Sequence, residues 1–202
     1  MKLATTIIAA IFGTAVSTIA QPANDNFADR ISLTGYTNVV PISSTLATAE
    51  TGEPSKAESL GYGTVWFSWT APATGTTTIY YSGDAFYRTF GVFTGTQLTK
   101  LHRVVSPNTG ITFEVKAGQV FQIQAMATPT LPDYFMHVEL AARPANDNFT
   151  NRSVLEGTLI STNGDNSAAT RERGEPRHNG VNFGRSLWYS WTAPAADGFL
   201  LT

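Results

Sequence analysis

The feature that most constrains this chain is an internal repeat. Pro22-Ala23-Asn24-Asp25-Asn26-Phe27 returns 122 positions later as Pro144-Ala145-Asn146-Asp147-Asn148-Phe149. The same offset carries Arg30 to Arg152, Leu33 to Leu155 and Gly35 to Gly157. It also carries Glu50-Thr51-Gly52-Glu53-Pro54 to Glu172-Arg173-Gly174-Glu175-Pro176, and Trp66-Phe67-Ser68-Trp69-Thr70-Ala71-Pro72 to Trp188-Tyr189-Ser190-Trp191-Thr192-Ala193-Pro194. A period of that size is a whole small domain, so the chain reads as two tandem copies of one unit. The complete copy is expected over residues 21–142. The second, residues 143–202, holds the N-terminal half only, and its period would extend about 62 residues beyond Thr202.

Ahead of the first copy, Lys2, an apolar run from Leu3 to Val16 and then Ser17-Thr18-Ile19-Ala20 have the form of a secretory signal over residues 1–20, cleaved after Ala20. The run is shorter than the ~20 residues of a membrane span. The mature chain is therefore expected to be exported and free of the membrane, in a bacterial envelope or the medium. The absence of cysteine fits that better than a eukaryotic secretory pathway, and it removes disulfides, thiolate metal sites and a cysteine nucleophile. With 13 basic and 15 acidic side chains, phosphate neutralisation cannot drive binding, and no nucleic-acid partner is expected.

Charged residues are only 14% of the chain and hydrophobic ones 42%, enough to fill a core. Within the complete copy the apolar residues alternate with period two over short stretches, the mark of half-buried strands. Strands are expected at 65–69, 76–81, 90–93, 101–105, 111–115, 120–126 and 134–140, with weaker ones at 31–33 and 39–42. Gly, Pro and Asn turns separate them. Such a series, with no long helical period, indicates an all-β fold, an antiparallel β-sandwich of jelly-roll or Greek-key type. One short helical turn is expected from Asn24 or Asp25 toward Arg30, capped by those side chains.

The candidate chemistry lies in three groups. Glu50 and Glu53, repeated as Glu172 and Glu175, are paired carboxylates of the kind glycoside hydrolysis uses; their recurrence in both copies fits a fold-supporting loop better than one active site. Asn24, Asp25 and Asn26 carry oxygens that suit Ca²⁺, alone or with Glu50 and Glu53. No cofactor is otherwise indicated. The histidines, His102, His137 and His178, form no metal-binding pair, and no G-x-S-x-G elbow occurs. In the Trp-x-Ser-Trp strand, alternation sends Val65, Phe67 and Trp69 to one face, taken as the inter-sheet core, and Trp66 to the other. Trp66 is then either covered by the segment containing Phe27 or exposed as a platform for a sugar ring, with Tyr80, Tyr81 and Tyr87 as further aromatics. Trp188 and Trp191 repeat the arrangement.

The Pro-Ala-Asn-Asp-Asn-Phe, Gly-Glu-Pro and Trp-x-Ser-Trp-Thr-Ala-Pro segments, with Val92-Phe93-Thr94-Gly95, resemble the tandem β-sandwich repeats of exported bacterial proteins. These are similar to the pre-peptidase C-terminal domain family. The resemblance implies a non-catalytic accessory module working beside neighbouring domains of the same polypeptide, with a cell-surface polysaccharide or protein as partner. A carbohydrate-binding module is the alternative, and a glycosidase using Glu50 and Glu53 the third reading. Where such repeats often show Phe-Asp-Thr and Asn-Asp-Asp, this chain has Phe86-Tyr87-Arg88 and Asn108-Thr109-Gly110.

Overall fold

The computed structural model describes residues 20–43, 45–54, 63–82, 89–127, 134–177, 180, 184–196 and 198–200. The expected signal segment up to residue 19, Tyr87 with its neighbours Phe86 and Arg88, and His178 lie outside them. Among the described residues the first copy contains nine strands: β1 (Ile31–Leu33), β2 (Thr37–Ile42), β3 (Gly63–Thr70), β4 (Gly75–Ser82), β5 (Thr89–Thr94), β6 (His102–Asn108), β7 (Gly110–Val115), β8 (Val120–Ala127) and β9 (Tyr134–Ala142). Every expected strand is present, most of them longer by a residue or two at the ends.

Pairing follows one scheme. β2 pairs with β9, β3 with β8, β4 with β7 and β5 with β6, all antiparallel. The chain is thus a long two-stranded ribbon folded over itself, the nesting of a jelly roll. Successive segments of the ribbon fall alternately in a five-stranded sheet, order β1-β3-β8-β5-β6, and a four-stranded sheet, order β2-β9-β4-β7. One pair departs from the antiparallel rule: β1 runs parallel to β3, Ile31 opposite Phe67 and Leu33 opposite Trp69. Pro41 is tolerated in β2 because β2 is an edge strand.

The core between the sheets is made by one face of each strand. Val65, Phe67 and Trp69 face it from β3, Phe121 and Ile123 from β8, and Met136, Val138 and Leu140 from β9. Trp69 stacks on Phe121, ring centroids 6.0 Å apart, and its indole Nε1 donates to the Gly35 carbonyl at 3.1 Å. Gly35 sits at φ +83°, a backbone region that glycine enters without strain. Tyr81 is in this core too, edge-on to Phe90 and Tyr134, its hydroxyl donating to the Thr89 carbonyl.

The second copy begins with the same elements: a 3₁₀ turn Phe149–Asn151, β10 (Ser153–Leu155) and β11 (Tyr189–Trp191). β10 and β11 pair in parallel, Ser153 opposite Tyr189 and Leu155 opposite Trp191, the register of β1 and β3 shifted by 122. They form a sheet of two strands.

Candidate functional site

The residues singled out for chemistry converge on the outer face of β3. The backbone at Trp66 holds the N-terminal segment by two bonds: Trp66 N donates to the Asn24 carbonyl and Asn24 Nδ2 to the Trp66 carbonyl, both 2.9 Å. Asp25 accepts twice from Thr48, from the backbone N at 2.6 Å and from Oγ1 at 2.7 Å. The next segment forms a 3₁₀ turn, Phe27–Asp29, whose N-cap Asn26 makes no side-chain capping bond. The expected capping by Asn24 or Asp25 is thus corrected: both side chains are engaged elsewhere, and the Glu50 carboxylate accepts the Phe27 N–H at 2.9 Å instead.

Glu53 is the centre of the cluster. Oε1 accepts from Thr64 Oγ1 at 2.6 Å, Trp66 Nε1 at 3.1 Å and the Glu50 N–H at 3.1 Å; Oε2 accepts from Gln124 Nε2 at 2.7 Å. Burial raises the Glu53 pKa above the ordinary carboxylate value, against the lowering effect of the Thr64, Glu50 and Trp66 hydrogen bonds. The turn that doubles the two glutamates back on one another needs Gly52, at φ +98°. Glu50 and Glu53 therefore meet on one loop rather than across a cleft, as inverting or retaining glycoside hydrolysis would need.

Trp66 completes the arrangement. It is 0% exposed, with Phe27 edge-on at 5.0 Å and Phe93 tilted at 6.1 Å. Leu98 and Leu101 close the cluster. Of the two placements open to Trp66, the covered one is found; as a platform residue it is corrected, because no ring face is left for a sugar. Tyr81, 7% exposed within the inter-sheet core, is corrected for the same reason. Tyr80 does lie on an outer face, that of the four-stranded sheet. Its ring stacks on His137 at 4.5 Å and 9°, and its hydroxyl donates to Glu139 at 2.8 Å. That bond raises the Tyr80 pKa. Opposite Tyr80 on β7 stands Gly110, where a Cβ would meet nothing within 4 Å. Phe135 and Val39 are exposed on the same face.

Much of the brace recurs in the second copy, although Ser186 Oγ and Trp188 Nε1, at the places of Thr64 Oγ1 and Trp66 Nε1, are buried without a hydrogen-bond partner. Asn146 and Trp188 exchange the same two bonds at 3.1 and 2.9 Å, Asp147 accepts from Thr170 N and Oγ1, and Glu172 accepts the Phe149 N–H at 2.6 Å. Glu175 accepts from the Glu172 N–H at 3.0 Å, and Trp191 Nε1 donates to Gly157 at 2.9 Å. Thr48, Thr64 and Gln124 were not singled out by sequence. Thr48 had a signal, since the offset carries it to Thr170; Gln124 had none, its counterpart falling beyond Thr202.

Among the described residues no group of three or more His, Asp or Glu side chains is placed to hold a metal ion. The chain matches no protein-family model and no curated protein. Among solved structures it is similar to PliG of Aeromonas hydrophila, a periplasmic inhibitor of g-type lysozyme, at 16% identity and a TM-score of 0.35, over 54% of this chain and 92% of that one.

Proposed function

We propose that the chain is an exported, non-catalytic interaction module of a larger secreted or cell-surface bacterial protein. One observation carries the proposal. Asp25 and Glu50, and at the equivalent places Asp147 and Glu172, are committed in the same way to fastening the N-terminal segment and the loop that follows it onto the Trp-x-Ser-Trp strand. A general acid must reach its substrate, whereas Glu53 is enclosed by Thr64, Trp66 and Gln124. The resemblance to tandem repeats of exported proteins agrees with this use. Assay of the full chain against glycoside, ester and peptide substrates is expected to give no turnover; a rate that Glu53→Gln abolishes while the melting temperature holds would overturn the proposal.

Carbohydrate binding is the second reading, favoured by the Tyr80 face. Tyr80 and Phe135 share an outer face with Thr78, Thr112 and Glu139, and the strip above Gly110 leaves room for a ring to lie against the tyrosine. Retention of the chain on insoluble polysaccharides, lost in Tyr80→Ala with folding unchanged, would establish it. Retention indifferent to Tyr80 would remove this face from the site.

A further inference from the structure

One residue, Arg143, stands between the end of β9 at Ala142 and the Pro-Ala-Asn-Asp-Asn-Phe segment that opens the second copy at Pro144. Its backbone belongs to the first copy. Gly75 of β4 pairs with Ala142, and Arg143 N extends that ladder by one bond, donating to the Thr74 carbonyl at 2.9 Å. Pro144 fixes its own φ and restricts the residue before it to extended backbone. The junction is accordingly short and stiff, and the Arg143 side chain leaves it from a fixed point.

That side chain lies between two carboxylates, one from each copy. On one side Nη2 donates to Glu114 Oε2 on β7, while Glu114 Oε1 accepts from Thr76 Oγ1 of β4 at 2.6 Å, so this carboxylate is aimed by the neighbouring strand. On the other side Nε lies 3.5 Å from Oδ2 of Asp147, four residues on. Asp147 is 2% exposed and is the acid that accepts from both N and Oγ1 of Thr170 in the second brace. A guanidinium spreads its donors around a planar fork and so serves two carboxylates at once, which the compact charge of a lysine does less well. At the equivalent place ahead of the first brace stands Gln21, a neutral side chain. Domains in polar contact move relative to one another unless specific bonds hold them; Arg143 supplies such bonds.

We propose that the end of the first sandwich formed by Thr74, Thr76 and Glu114 is a docking surface for the start of the following copy, and that Arg143 is its latch. Glu114 holds the guanidinium, and the guanidinium holds the Asp147 carboxylate where it accepts from Thr170. The second brace is thereby supported by the fold of the copy before it. The partner that fits this surface is a segment in which an arginine precedes Pro-Ala-Asn-Asp-Asn-Phe, four residues ahead of the brace aspartate.

The test makes Arg143→Gln and Glu114→Gln, singly and together, in the ¹⁵N-labelled full chain. Amide exchange is followed at Thr170 and, as the internal reference, at Thr48, whose N–H makes the same bond to Asp25 in the first brace. Thr170 exchange is expected to quicken about tenfold in Arg143→Gln and about threefold in Glu114→Gln, with Thr48 unchanged, as local rather than global opening requires. The double variant should exchange no faster than Arg143→Gln, because both substitutions cut one path. Glu114→Gln decides the matter, since Glu114 belongs to the first copy and the amide observed to the second. A Thr170 rate altered by Arg143→Gln alone would make the arginine a support within its own copy and overturn the proposal. Additive effects in the double variant, equal changes at Thr48 and Thr170, or a Thr170 amide already unprotected in the parent chain would overturn it as well.

Discussion

The two copies share a brace and differ in what lies beneath it. In the first, Trp69 is 1% exposed and stacked on Phe121; in the second, Trp191 meets Phe199, itself 40% exposed, and remains partly open. Yet the buried acid is equally enclosed in both, Asp25 at 6% and Asp147 at 2% exposure. The difference separates two kinds of order. The part of the brace found in both copies joins residues within about forty positions of one another, from Asn24 to Trp66 and from Asn146 to Trp188, whereas Gln124 and Phe93 reach Glu53 and Trp66 from β8 and β5 in the first copy. The core needs the second sheet, whose strands β4, β7 and β9 come later in the chain.

The largest effect expected from that difference is in folding itself. Residues 21–142 alone should unfold in one cooperative transition, and residues 143–202 alone should show none, as circular dichroism on heating would reveal. A cooperative monomeric transition in 143–202 would mean that brace contacts suffice. Within the intact chain, Trp69→Ala should cost about 3 to 5 kcal/mol, the usual price of emptying a buried tryptophan site. Trp191→Ala should cost about 0.5 kcal/mol, as for a partly exposed side chain, and equal losses in urea titration would abolish the distinction.

The brace should behave in the opposite manner. Asp25→Ala removes the carboxylate that accepts two part-buried Thr48 bonds, on the order of 2 kcal/mol for hydrogen bonds to a charged group. Asp147→Ala removes the same two bonds from Thr170. Faster amide exchange at Thr48 and at Thr170 in the respective variants, to a similar degree, is the expected outcome. A change at Thr48 alone would show that the second brace does not stand without a core.

How much of this was legible in the sequence follows the same division. The strands and the inward set Val65, Phe67 and Trp69 could be read because alternation is a local signal. The brace was visible only as repetition: the offset marked Asn24, Asp25, Glu50 and Glu53, and would have marked Thr48, but could not say which atoms meet. Gln122 and Gln124 were illegible. Two glutamines alternating with Phe121 and Ile123 have the pattern of a solvent face, and they are buried because the loop carrying Glu53 and the segment at Gly95 lie over that face. Tyr81 was misplaced for a related reason. Thr76 to Tyr81 alternates, but both tyrosines at its end are amphipathic, so the pattern did not say which of the two turned inward.

A smaller effect should come from the proton on Glu53. Its pKa is raised in the folded state, chiefly by burial, so the folded chain holds this proton more tightly than the unfolded one. The contribution to stability is then fully present below the ordinary value of 4.5 and is lost as pH rises through the folded pKa, after which it stays constant. Glu53→Gln should remove this step. The introduced amide can be accommodated because Gln124 Oε1 is buried without a partner, and a turn of the Gln124 amide offers it as an acceptor. The difference between parent and variant in urea unfolding across pH 4 to 8 isolates the effect from the other carboxylates; parallel curves would place the titrating proton elsewhere.

The smallest effect is expected from calcium. The cation takes six to eight oxygens at about 2.3 to 2.6 Å, and five of the carboxylate oxygens on offer are already accepting from protein donors. Both Asp25 oxygens face Thr48, Glu50 Oε2 faces the Phe27 N–H, and both Glu53 oxygens are hydrogen-bonded. Asn108, at the other turn where an acidic run is absent, uses Oδ1 to accept from the Thr109 N–H at 2.7 Å. A site with a Kd a hundredfold below the calcium concentration would stabilise the fold by about 2.7 kcal/mol, several degrees in melting temperature for a domain of this size. EDTA and calcium should therefore leave the first transition within about a degree of each other if no such site forms. A larger shift in which Thr48 and Thr170 amides were both protected would place a cation in the shared brace. A shift confined to Thr48 would place it outside the part of the brace that the two copies share.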